Sequence, residues 1–81
     1  MGIRLVHIQW LDSCSPSDSG WHKPEELTLK SLTCDTVGII VAEDKKQISV
    51  ASCIVDSGKD YGVYGVITIP KCSILKRRRV S

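Results

Sequence analysis

Apolar and polar residues alternate along most of this chain, and the alternating runs are separated by short segments rich in Ser, Asp, Gly and charge. A period of two is the mark of half-buried strands. Between Ile3 and Leu11, Val6, Ile8 and Trp10 share one face while Leu5, His7 and Gln9 share the other, which predicts a first strand over residues 3–11. The next stretch, DSCSPSDSG from Asp12 to Gly20, is a loop by composition, because its side chains bond locally to the backbone and its Gly and Pro favour turns. Trp21 and His22 follow, and Pro24-Glu25-Glu26-Leu27 fits one helical turn with Pro first and acids at the positive end of the dipole.

The second half is a meander. Thr36 to Ala42 is almost continuously apolar, as in a strand buried on both sides or covered by an oligomer partner, and predicts a strand over 36–43. Glu43-Asp44-Lys45-Lys46 reverses the chain into a strand over 47–55, with Ile48, Val50 and Ile54 on one face. A turn at Asp56–Asp60, where Gly58 can take positive φ, leads to a strand over 61–69 whose Gly62 and Gly65 permit a bulge or sharp bend. Pro70 ends that ladder, and residues 73–80 form an edge strand.

About five strands with at most one helical turn favour a small, partly open barrel of SH3-like or Sm-like type over a seven-stranded sandwich or a helical fold. The bend such a barrel needs is expected at Gly62 to Gly65 or at Gly38. The expected core is Val6, Ile8, Trp10, Ile39, Val41, Ile48, Val50, Val63, Ile67 and Ile69. On that assignment Ile67→Ala costs about 2–5 kcal/mol.

Length confines this pattern to one domain spanning residues 1–81, close to the size at which a single core just suffices, so self-association would help. Phe is absent and only Trp10, Trp21, Tyr61 and Tyr64 are aromatic, leaving Ile, Val and Leu to build the interior. Residues 1–75 carry seven Lys/Arg against nine Asp/Glu, so the net charge of +2 arises wholly from Lys76-Arg77-Arg78-Arg79. A binder of duplex DNA would spread its cations over a face instead. No run of about 18 apolar residues is present, and the N-terminus lacks signal-peptide features. A cytoplasmic protein is therefore expected. There Cys14, Cys34, Cys53 and Cys72 should be thiols, and without any C-x-x-C they read as small buried or half-buried hydrophobes. A disulfide or a metal site assembled from distant residues, with His7 or His22, stays open as the alternative.

The chemical inventory is short. No nucleophile has the context of an elbow, and no set of nucleophile, base and stabiliser can be drawn, so a non-enzyme without cofactor or metal is expected. His7 lies mid-strand and reads as structural, while His22 beside Trp21 reads as a surface residue. In the basic run, Lys76 and Arg78 should face one side of a strand and Arg77 and Arg79 the other. Those charges either discourage edge-to-edge aggregation or contact an anion. In the second case Trp21 and Tyr61 would supply stacking surfaces, giving Trp21, His22, Tyr61, Lys76, Arg77, Arg78 and Arg79 as candidate ligand-binding residues.

The pattern Val6-x-Ile8-x-Trp10-x-Asp12-Ser13, Gly20-Trp21-His22, Val37-Gly38-Ile39-Ile40-Val41-Ala42-Glu43-Asp44 and Ile69-Pro70-Lys71-x-x-Ile74-Leu75 resembles a set of small uncharacterised proteins encoded by bacteriophages. The segment from Val37 onward also resembles the Sm-like arrangement of a glycine-containing strand, an acidic turn and a late strand. The chain contains no Asn, which counts against the base pocket of Sm proteins. The phage resemblance implies a small non-catalytic binder in the host cytoplasm, oligomeric, that captures an anionic ligand such as a host-defence nucleotide signal, or RNA. The alternative is an adaptor or inhibitor that docks on a host or virion protein through a strand edge or apolar face.

Overall fold

The computed structural model describes residues 2–13, 20–26 and 31–80. The fold is all-β: β1 (Leu5–Asp12), β2 (Leu32–Glu43), β3 (Gln47–Ala51), β4 (Cys53–Ser57), β5 (Asp60–Tyr64), β6 (Ile67–Pro70) and β7 (Ile74–Arg79), with 3₁₀ turns at Pro24–Glu26 and Lys71–Ser73. Five strands form an antiparallel sheet in the order β6-β3-β2-β1-β7, and β4 and β5 form a separate two-stranded ladder. No helix among the described residues is long and apolar enough to cross a membrane.

Where about five strands and at most one helical turn were expected, seven strands and two 3₁₀ turns are found among the described residues. The runs expected over 47–55 and 61–69 are each interrupted, the first at Ser52 and the second at Gly65 and Val66. These breaks lie side by side. Gly65 has φ 68°, and the Ser52 backbone N–H and hydroxyl both donate to the Tyr64 carbonyl at 3.1 Å. Together they make one corner in one long hairpin. Its base, β3 with β6, belongs to the sheet, and its tip, β4 with β5, leaves it as an arm closed by Gly58 at φ 65°. Gly at the first central position of a two-residue turn suits the twist of a hairpin. At Gly65 a Cβ would both occupy a left-handed backbone and run into the Ser52 hydroxyl. Gly65→Ala is therefore expected to lower stability by about 1–2 kcal/mol, measured by urea denaturation.

A second departure concerns β2, which begins at Leu32 rather than near Thr36. The added residues carry little apolar pattern. They are strand because Asp12, Leu11, Trp10 and Gln9 offer them a ladder, and because Trp10 Nε1–H donates to Thr36 Oγ1 at 2.9 Å.

The sheet is rolled but not closed. Its two edges, β6 and β7, share no ladder. Four inter-strand steps would hold them roughly 19 Å apart in a flat sheet. Only Lys71–Ser73 join them, a link that spans about 14 Å even when extended. The sheet must curl for this link to reach.

Inside the curl, Val6, Ile8, Ile48, Val50 and Ile69 form the buried cluster, with Trp10, Ile40 and Ile74 packed against it. The expected core was too large. Ile39 and Val41 are half-buried, and Val63 and Ile67 are exposed, Val63 because it rides on the arm and Ile67 because β6 is an edge strand. Two cysteines depart from expectation as well. Cys53 and Cys72 are exposed and only Cys34 is half-buried, while Cys14 and most of the 12–20 loop lie outside the described residues.

Candidate functional site

Three chain segments meet at one end of the rolled sheet. The β1–β2 ladder is extended by Ile40 N–H donating to the Arg4 carbonyl at 3.0 Å, and the β1–β7 ladder by Val80 N–H donating to the Leu5 carbonyl at 2.9 Å. The register places Arg77 opposite Ile8 and Arg79 opposite Val6, so both arginines lie on the core-facing side. Lys76 lies opposite Gln9 and Arg78 opposite His7, on the outer side. The basic run is thus divided between two faces.

The core-side arginines border a recess of about 120 Å³ lined by Arg4, Leu5, Val6, Ile40, Arg77 and Arg79. Three arginines border it, Arg4 from the approach to β1 and Arg77 and Arg79 from β7. Arg77 also grips Glu43, with Nη1 donating to Oε2 at 2.7 Å and Nη2 to Oε1 at 3.1 Å. Lys71 Nζ lies 2.7 Å from the same Oε2. Glu43 is therefore clamped between Arg77 of the edge strand β7 and Lys71 of the 3₁₀ turn that follows β6. These bonds, chiefly from Arg77 and then Lys71, lower its pKa from 4.5 to about 2, and the same pairing raises that of Arg77. The pairing uses two of the five N–H donors of Arg77. Arg77 and Lys71 thus share one carboxylate, and Arg77 carries that network to the rim of the recess.

Next to this network, Asp44 holds the β2–β3 turn. Its Oδ1 accepts the backbone N–H groups of Lys46 at 2.7 Å and Gln47 at 2.9 Å, which lowers its pKa.

A second recess, about 300 Å³, lies between the arm and the start of the chain, where Ile3, Ile39, Val41, Ile54, Tyr61 and Val63 line it together with Gly2 and Ile40. Ile40 alone is shared with the arginine recess. Ile3 and Arg4 are consecutive and point to opposite faces of an extended chain. The apolar groove and the cationic recess therefore meet at Ile40, with Ile3 lining the first and Arg4 the second.

This geometry separates the residues that the sequence grouped. Arg77 and Arg79 share the cationic recess, Tyr61 lines the apolar groove, and Lys76 and Arg78 face outward. Trp21 is fully exposed and His22 half-buried, and neither lines either recess. Arg4 is the addition that sequence reading missed. As a lone cation before β1 it carries no signal until strand pairing brings it beside β7. His7 is engaged on the outer face, its Nε2 2.8 Å from Asp35 Oδ1. Among the described residues, no group of three or more His, Cys, Asp or Glu could hold a metal ion. Comparison with family models, curated proteins and solved structures finds no match for this chain.

Proposed function

We propose that the protein is a non-catalytic, stoichiometric binder of a small phosphate-bearing anion, held in the recess between Arg4, Arg77 and Arg79. The presence of three arginines in the lining of one recess carries this reading. Guanidinium forks match phosphate oxygens in pairs, and charge-assisted bonds of this kind are the strong ones. A volume near 120 Å³ suits a phosphate group, not a whole drug-sized ligand, so a nucleotide would enter by its phosphate. A polyanion such as RNA would need cations that track its backbone along one groove. Here the basic residues are divided between two faces, which favours a compact ligand.

The strand order β6-β3-β2-β1-β7 with a 3₁₀ turn before the last strand supports an SH3-like arrangement of the rolled sheet. Together with the phage-type resemblance of the sequence, it supports an anti-defence role in the host cytoplasm, in which a nucleotide signal is sequestered.

The test is titration calorimetry with pyrophosphate and with ATP at low salt. The double variant Arg4→Ser/Arg79→Ser should bind at least tenfold more weakly, since a bond to a charged group is worth about 1.5–3 kcal/mol. Lys76→Ser/Arg78→Ser, on the other face, should bind like the parent. If the first pair of changes leaves both affinities unmoved while the second abolishes them, the recess is not the site.

A further inference from the structure

Arg77 takes part in two arrangements at once. It borders the cationic recess, and both of its terminal nitrogens are engaged by Glu43, Nη1 donating to Oε2 at 2.7 Å and Nη2 to Oε1 at 3.1 Å. Glu43 does not line the recess. It stands at the end of β2, opposite Ile48 on β3, whereas Arg77 stands on β7 opposite Ile8. A carboxylate from outside the site thus fills the fork that a phosphate would otherwise take.

We propose that Glu43 is an autoinhibitory carboxylate, an internal competitor for Arg77 that an anion entering the recess must displace. The inference rests on the reading of the recess as a phosphate site. Two features of the ion pair make it an exchangeable contact.

The first is Lys71. Its Nζ lies 2.7 Å from the same Glu43 oxygen that Arg77 Nη1 bonds. With Arg77 as its sole cation, a Glu43 side chain only 23 % exposed would be stranded by the exchange, and a poorly solvated charge without a partner is costly. Lys71 removes that cost, because Oε2 keeps a cation when Arg77 departs. The second is solvent. The Arg77 side chain is 37 % exposed, so the pair is screened and its strength is modest.

The donors of Arg77 that Glu43 leaves unused do not relieve the competition. A phosphate bonded to them would share one planar group with the Glu43 carboxylate and sit no farther from it than the width of a guanidinium. Like charges at that separation repel. Glu43 therefore opposes the anion whether Arg77 leaves it wholly or in part, and the apparent affinity of the recess is scaled by the fraction of molecules in which Arg77 is released.

Titration calorimetry of the full chain with pyrophosphate at low salt tests this. Glu43→Gln keeps the shape of the side chain without its charge and should bind roughly threefold more tightly, the order of a partly exposed ion pair. The gain should disappear in an Arg77→Ser background, since Glu43 acts through that side chain. Lys71→Ser should weaken binding in the parent, where Glu43 would then depend on Arg77 alone, and should not do so once Glu43 is Gln. Asp56→Asn, the same change of charge on the arm, should bind like the parent. In the parent itself, the carboxyl carbon resonance of Glu43 should move on saturation with pyrophosphate although Glu43 does not border the recess. Equal or weaker binding by Glu43→Gln, or a Glu43 resonance that stays in place at saturation, overturns the proposal. If that happens while Arg4→Ser/Arg79→Ser still loses pyrophosphate, the recess stands and the competition alone falls. Binding by neither the parent nor Glu43→Gln removes both.

Discussion

Ile8→Ala lowers the free energy of unfolding by about 2–5 kcal/mol, read from the midpoint of a urea transition with unchanged slope. Ile8 is fully buried in β1, a strand with ladders on both sides, where it packs into the cluster of Val6, Ile48, Val50 and Ile69. Truncation there removes transfer free energy and leaves a cavity that flanking strands cannot collapse to fill. Among the described residues that cluster holds five buried side chains, so the loss is a major part of a net stability that is small in any domain. Ile67→Ala, at the exposed edge, should cost about 1 kcal/mol or less, since most of its transfer free energy is never realised. Equal losses at both positions would mean that the interior is not organised around β1.

Glu43→Gln should lower stability by about 1–2 kcal/mol at neutral pH and by nothing near pH 2. The Glu43 side chain is 23 % exposed and bonded to Arg77 and Lys71. These contacts hold its pKa near 2 against an ordinary 4.5. A carboxyl whose pKa is depressed on folding stabilises the folded state fully above its unfolded pKa, and that contribution disappears as pH falls through the folded value. The window is therefore about pH 4.5 down to 2. Solvent screening at a partly exposed site keeps the effect below what the shift alone would give. Thermal melts of parent and variant should be separated at pH 7 and converge on acidification. Some acid sensitivity should persist in the variant, because Asp44 is also depressed by its backbone bonds. A constant separation across this range would show that Glu43 acts through packing and not through its charge.

These effects explain which parts of the fold could be read in the chain. Strict alternation marked β1, and the polar turn at Glu43–Lys46 marked the β2–β3 reversal, since both signals are local. The corner at Ser52 and Gly65 was only half legible. Gly65 advertised a bend, but Ser52, in register with Ile48, Val50 and Ile54, read as a position within one unbroken strand until the opposite strand supplied the Tyr64 carbonyl it bonds. The burial of Ile69 and exposure of Ile67 are likewise matters of edge and centre, which one strand's own pattern does not encode. The site was least visible. Alternation correctly divided Lys76 and Arg78 from Arg77 and Arg79, yet the third arginine of the recess and the carboxylate that orients Arg77 come from segments distant in sequence.

The pairing of β1 with β7 has a consequence for biosynthesis. The recess draws Arg4 from ahead of β1 and Arg77 and Arg79 from β7, so a chain on the ribosome cannot form it until β7 has emerged. A chain still on the ribosome before β7 emerges can form the β1–β2 ladder but leaves β1 as an open edge and Glu43 without its Arg77 partner. The recess is thus completed only when β7 pairs with β1, and a chain cut within β7 loses the recess and the seal over β1 together.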